Sequence, residues 1–153
     1  MAKNGSLLED TLDVWDKQLC AYGTKLAEER KSFIEDLNLK AEKIHGDISA
    51  NKESLKIEYK ESVDYSNFYE KMVKNRDKDI FYGNTCVGIH KDDMVFYING
   101  NNARDYASQG QQRTICLSLK MAEVELINEK TGAYPVLLLD DVLSELDKNR
   151  QDY

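Results

Sequence analysis

From Leu8 onward, Leu8, Leu12, Trp15, Leu19, Tyr22 and Leu26 recur at alternating spacings of four and three residues, the period at which one helix packs lengthwise against another. The stripe continues less strictly through Phe33, Leu37, Ile44 and Ile48. Ser6-Leu7-Leu8-Glu9 has the form of a capping box at its start, and Gly46 stands where the helix would stop. A helix of about 35–40 residues is more than three times the usual length and cannot bury such a stripe alone. The sequence therefore predicts a partner, and the helical stretch Tyr65 to Asp79 is the most economical one, folding back on the seam. The plainer alternative is a helix of an ordinary globular bundle.

Between these helices Leu55-Lys-Ile-Glu-Tyr59 alternates apolar and charged residues as a half-buried strand does. From Phe81 the texture changes. Thr85-Cys-Val-Gly-Ile89 and Met94-Val-Phe-Tyr-Ile98 read as strands, and Asn99-Gly100 is a strong hairpin signal because both central residues of a type I′ turn need positive φ. The second hairpin strand is expected to run through Ala103 and Asp105. A helix over Gln111 to Lys130 follows, with Ile115, Leu119, Ala122 and Leu126 on one face and Thr131-Gly132 at its end. Tyr134-Pro-Val-Leu-Leu-Leu139 then reads as a strand buried on both faces of a sheet. These elements divide into a helical arm over residues 1–80 and a second lobe over residues 81–153, with no internal repeat.

Composition narrows the class. The chain has 153 residues and a net charge of −7, spread evenly: residues 1–80 hold 14 basic and 17 acidic groups, residues 81–153 hold 7 and 11. No block is basic enough to announce nucleic-acid binding by charge alone. No apolar run reaches the roughly 20 residues of a membrane helix, and Met1 to Asp10 lacks signal-peptide character, so a cytoplasmic protein is expected. Cys20, Cys86 and Cys116 are too far apart for a close metal-ligand pair and odd in number, which favours reduced thiols. His45, beside Gly46, reads as a helix-end residue favoured by the dipole, and His90, next to Lys91-Asp92-Asp93, as structural.

Two segments carry chemistry. Pro135-Val-Leu-Leu-Leu-Asp140-Asp141 has the form of a Walker B element, a hydrophobic strand delivering carboxylates to its C-terminal edge. Asp140 would orient Mg²⁺, mostly through water, and Asp141 would polarise an attacking water. Alternatively this is an acidic turn after a core strand. Ser108-Gln-Gly-Gln-Gln-Arg113 opens the predicted helix, and a Ser hydroxyl, a Gly permitting close backbone approach and a helix N-terminus together make a phosphate clamp. Ser144-Glu-Leu-Asp147 follows the carboxylates, and the order of the three segments argues against coincidence.

At these residues the chain resembles the RecF family. Ala107-Ser-Gln-Gly-Gln-Gln-Arg-Thr114 looks like the signature motif of ABC-type ATPases in its RecF form, and Leu137-Leu-Leu-Asp-Asp-Val-Leu-Ser-Glu-Leu-Asp147 like RecF's Walker B and D-loop. The likeness extends through the hairpin and Gly88-Ile-His-Lys-Asp-Asp93 to Leu12-Asp-Val-Trp-Asp16. The Gly88 segment departs from the family form, in which Pro stands at Ile89 and Arg at Lys91. The resemblance implies an α/β class (α+β within this chain): part of a P-loop NTPase head of ABC/SMC type with a coiled-coil-like arm. Among the eight glycines the only pair with P-loop spacing is Gly83 and Gly88, and Gly88 is followed by Ile89-His90 where Lys and Ser or Thr belong. The chain thus reads as a C-terminal-side fragment without a Walker A lobe.

By the same resemblance, the parent molecule is a weak, DNA-dependent ATPase that dimerises on binding ATP. It engages double-stranded DNA at single-strand gaps, and it works with RecR and RecO to load the recombinase in recombinational repair and the SOS response. Ser108, Gln109, Gly110 and Gln111 would meet the nucleotide of the opposite subunit, Ser144 and Asp147 would form the D-loop, and Asp140 and Asp141 would serve the metal and water of their own subunit. ATP and Mg²⁺ are the implied cofactors, with none held tightly by residues 1–153 alone. The competing classes are a nucleotide-free helical interaction module and another SMC- or ABC-type lobe; a scaffold has no need of Ser108-Gln-Gly together with Ser144-Glu-Leu-Asp147.

Overall fold

The computed structural model describes residues 3–138. Helix α1 runs from Lys3 to Ile48, 46 residues. It already includes Ser6 to Glu9, so the capping box expected there does not start it. Nor does Gly46 end it in a left-handed conformation. The chain leaves the helix through Ala50 and Asn51, at φ 52° and 57°, and the Asn51 amide donates to the Gly46 carbonyl at 2.7 Å. A Cβ at 46 would lie 3.0 Å from Asn51 Oδ1, a tight contact to which the end of that side chain would have to yield. After α1 come β1 (Leu55–Lys60), α2 (Phe68–Tyr82), β2 (Asp93–Ile98), β3 (Asn101–Asn102), α3 (Ala103–Tyr106) and α4 (Gln109–Thr131). The fold is mixed α and β, with a three-stranded sheet ordered β1-β2-β3. Two compact units draw on both halves of the sequence: residues 1–31 with 59–93, and residues 32–58 with 94–153.

In the first unit α2 folds back along α1, the partner that the sequence predicts. The face of α1 that meets it is different. Asp13 accepts from the Tyr69 hydroxyl, Arg76 Nε donates to Asp16 at 2.6 Å, Cys20 Sγ lies 3.5 Å from Met72 Sδ, and Gly23 abuts the Phe68 ring. From Asp16–Arg76 through Cys20–Met72 to Gly23–Phe68 the pairs descend on α2 as they rise on α1, an antiparallel arrangement. Trp15, Leu19, Tyr22 and Leu26 of the expected seam stay 58%, 49%, 74% and 47% exposed. The reason lies in what close packing needs: Gly23 admits an aromatic ring where a large residue would hold the helices apart, and Arg76 neutralises the carboxylates that share the seam. Val63, Phe68 and Met72 form the core here, with Cys20, Tyr65 and Val87 against it. Thr85 to Ile89, expected as a strand, is a loop leading into a 3₁₀ turn at Ile89–Lys91. Side chains take its backbone groups in place of a ladder: His90 Nε2 lies 2.8 Å from the Thr85 carbonyl, Ser62 donates to Gly88, and Arg30 donates to Ile89.

In the second unit the Asn99-Gly100 turn forms with φ of 50° and 79°, pairing Ile98 with Asn101 and Tyr97 with Asn102 antiparallel. The return strand then stops. Asn102 accepts from the Arg104 amide at 2.9 Å and caps α3, so Ala103 and Asp105 are helical where a strand was expected. Helix α4 lies antiparallel to the second half of α1. Lys130 stands over Phe33, Lys40 pairs with Glu129, and His45 faces Ser118 at 3.1 Å. Ile34, Leu37, Ala41, Ile44 and Ile48 of α1, Leu55, Ile57 and Ile98 of the sheet, and Ile115, Ala122 and Leu126 of α4 are buried. Gly132, at φ 72°, closes α4 with its amide on the Asn128 carbonyl. Residues 134–138 form no strand, and Val136 and Leu138 are 89% and 88% exposed. An apolar run becomes a buried strand only beside other strands, and no strand among the described residues pairs with it.

Candidate functional site

The start of α4 is built by a complete capping box. Ser108, in extended conformation at φ −64° and ψ 161°, accepts the Gln111 amide on Oγ at 3.2 Å, and Gln111 Oε1 accepts the Ser108 amide at 2.9 Å. The Gln112 amide closes the first helical bond on the Ser108 carbonyl at 2.9 Å. With one lone pair of Ser108 Oγ taken up by the cap, its O–H proton remains to donate outward. Ser108 and Gln109 are exposed, and a Cβ at Gly110 would meet nothing within 4 Å. The open space beside Gly110, the hydroxyl of Ser108 and the positive end of a 23-residue helix fit an anionic oxygen such as that of a phosphate.

Behind this turn lies a set of close polar contacts that sequence reasoning missed. Gln111 Nε2 donates to Glu53 Oε1 at 3.2 Å. Glu53 Oε2 in turn lies 3.3 Å from His45 Nε2, in a pair whose side chains are 12% and 0% exposed. Ser118 Oγ donates to the Thr114 carbonyl at 2.7 Å while facing His45 Nδ1, and Thr114 Oγ1 donates to the Gly110 carbonyl at 2.9 Å. His45 lies in the last turn of α1, as the sequence suggests, and is also the buried centre of this set. No sequence signal links Glu53 to Gln111, which are 58 residues apart; only the antiparallel stacking of α1 and α4 brings them together.

Of the residues expected to form the nucleotide site, Ser108, Gln109, Gly110 and Gln111 share this one turn. Asp140, Asp141, Ser144 and Asp147 lie outside the described residues. Among the described residues no group of three His, Cys, Asp or Glu side chains could hold a metal, and no helix is long and apolar enough to cross a membrane.

The DNA replication and repair protein RecF of Lactococcus lactis subsp. cremoris strain MG1363 is 51% identical over 140 residues, 92% of this chain. That of Lachnospira eligens is 50% identical over 146 residues, 95% of the chain. Over this stretch the chain matches RecF proteins as a fragment of one would. A solved structure of the recombination mediator protein RecF with ATP, in the RecFOR pathway, superposes on 94% of the chain with a TM-score of 0.83 at 38% identity. The chain spans 39% and 40% of the length of those two curated RecF proteins and 41% of the solved chain. No family model matches it. The mixed architecture is thus that of part of an ABC/SMC-like ATPase, and DNA repair is the process in which its relatives are named.

Proposed function

We propose that residues 1–153 form the arm and signature lobe of a RecF-type ATP-dependent DNA-binding protein acting in recombinational repair of gapped DNA and stalled forks. The observation that carries the reading is the α4 turn: a serine-capped helix start with open space at Gly110, at residues that resemble an ABC signature motif. Ser108 Oγ–H and the N-terminal dipole of α4 would meet the triphosphate held by an opposite subunit, Gln109 would line the approach, and Gln111 would keep the turn in shape. ATP supplies the charge that draws the two subunits together. Within its own subunit Asp140 would hold Mg²⁺ through water, Asp141 would orient the attacking water, and Ser144 with Asp147 would form the D-loop beside them. The division into an arm over 1–80 and a lobe over 81–153 belongs to this reading. So do a cytoplasmic location, duplex DNA at single-strand gaps, and RecR and RecO as partners.

The test is a separation of variants in the complete polypeptide. Ser108→Arg should leave ATP binding by each monomer intact while abolishing ATP-dependent dimerisation, because it places bulk and charge at the closing interface. Asp141→Asn should keep the ATP-bound dimer and lose hydrolysis. Equal loss of nucleotide affinity in both variants would overturn the composite site. Residues 1–153 alone should show no micromolar affinity for Mg-ATP by calorimetry, since the phosphate-cradling loop supplies most triphosphate contacts. A second reading, a nucleotide-independent interaction module, draws on the exposed Trp15, Leu19, Tyr22 and Leu26; it requires that Ser108→Arg leave association unchanged.

A further inference from the structure

The capping amide of Gln111 can point two ways, and only one of them makes the turn. Its Oε1 must face the Ser108 amide and its Nε2 must face away. A carboxylate accepts and never donates, so Glu53 Oε1, 3.2 Å from Nε2, selects that orientation: a flipped Gln111 would set oxygen against oxygen. We propose that Glu53 and His45 are positioning residues for the signature turn, Glu53 fixing the Gln111 amide and His45 fixing Glu53. This rests on reading Ser108 to Gln111 as the turn that meets a nucleotide.

The donor inventory shows how His45 does so. The single hydroxyl proton of Ser118 goes to the Thr114 carbonyl, so Ser118 Oγ can only accept from His45, and Nδ1 carries a proton. On its other side Nε2 looks at the Glu53 carboxylate across 3.3 Å, where a lone pair would be repelled and an N–H attracted. Ser118 and Thr114 close the circuit, since Thr114 Oγ1 returns to the Gly110 carbonyl. Both ends of the turn, Gly110 and Gln111, are thereby tied to the last helical turn of α1 and the loop that follows it. The signature turn cannot shift without disturbing the end of the long helix.

Gln111→Glu isolates this contact, because glutamate serves a capping box as well as glutamine does but would bring a second carboxylate against Glu53. Adding Glu53→Gln restores a donor facing residue 111 and keeps an oxygen facing His45. In the 153-residue chain, NMR should show a proton on His45 Nδ1, held by Ser118 Oγ. Gln111→Glu should speed amide exchange at Ser108 and Gln111 by roughly tenfold, and the double variant should restore it, the pattern expected of directly coupled residues. In the complete polypeptide Gln111→Glu should weaken ATP-dependent dimerisation by about ten- to a hundredfold, with the double variant again close to the starting protein. Ser108→Arg runs beside these as the control. Normal dimerisation of Ser108→Arg would overturn the signature reading itself. Loss with Ser108→Arg, but no effect of Gln111→Glu or no rescue by Glu53→Gln, would overturn the positioning role alone, as would a His45 ring without a proton on Nδ1.

Discussion

Replacing Gly23 by alanine sets two effects of known size against each other. In the middle of a helix the change should stabilise by about 1 kcal/mol through propensity alone. Here the new Cβ would lie 2.8 Å from Cε1 of Phe68 and 3.6 Å from its Cζ. The ring has little room to retreat, because it is buried, packs edge-on to Tyr65 with centroids 5.1 Å apart, and has Gly88 on another side, where a Cβ would stand 3.2 Å from Cζ. Overpacking of this kind costs about 1–3 kcal/mol, so Gly23→Ala should destabilise by about 1 kcal/mol net, lowering the melting temperature by roughly 2–4 °C for a chain of this size. Urea denaturation of Gly23→Ala, Phe68→Leu and the double variant measures the coupling. The smaller side chain at 68 makes room, so the double variant should lose less than the sum of the single losses by about 1 kcal/mol. A Gly23→Ala variant more stable than the parent, with additive behaviour in the double, would refute the claim that this glycine exists for the ring.

Three further outcomes follow from the same packing. Met72→Ala, at a 2% exposed position, should cost about 2–5 kcal/mol, whereas Leu19→Ala on the exposed stripe should cost under about 1 kcal/mol; thermal melts of the two decide which face of α1 is the seam. Burial works to raise the pKa of Asp92, but its bonds from Ser62, Tyr59 and Tyr65 outweigh that and hold it below the usual carboxylate range. Asp13 is likewise lowered by Lys17, Tyr69 and Arg76. Native carboxylates that bind protons more weakly than unfolded ones stabilise above the unfolded value of about 3.9 and lose that contribution as pH falls through the folded value. An acid titration should therefore unfold Asp92→Asn with a shallower pH dependence than the parent. Burial, then Asp92, push Tyr59 up to about 12 and Tyr65 higher still, so the stability their neutral forms confer is complete below about pH 10 and lost as pH rises through the folded values; near-ultraviolet melts at alkaline pH test this.

Local chemistry was enough wherever one residue decides the backbone. Asn99-Gly100 specifies its turn because both residues tolerate positive φ, and Ser108 with Gln111 specifies the start of α4 because the two side chains answer each other's amides within four residues. The period of apolar residues likewise announced α1, and the helical texture after Tyr65 its partner. Which stripe of α1 forms the seam was decided in three dimensions. Hydrophobicity favoured Trp15, Leu19, Tyr22 and Leu26, but the distance between two helices depends on what their contact residues allow, and Gly23 facing Phe68 with Arg76 over Asp13 and Asp16 gives a closer fit than a row of large side chains. Thr85 to Ile89 and Ala103 to Asp105 have strand-like composition, yet a strand exists only where a neighbouring strand pairs its backbone groups, and here Ser62 and Arg30 donate to the Gly88 and Ile89 carbonyls while Asn102 accepts the Arg104 amide. The site divides in the same way. Its Ser-Gln-Gly-Gln turn is a sequence of adjacent residues and can be read directly, whereas Glu53 and His45 join it from 58 and 66 positions before Gln111, because the antiparallel packing of α1 on α4 brings their polar groups into one buried set.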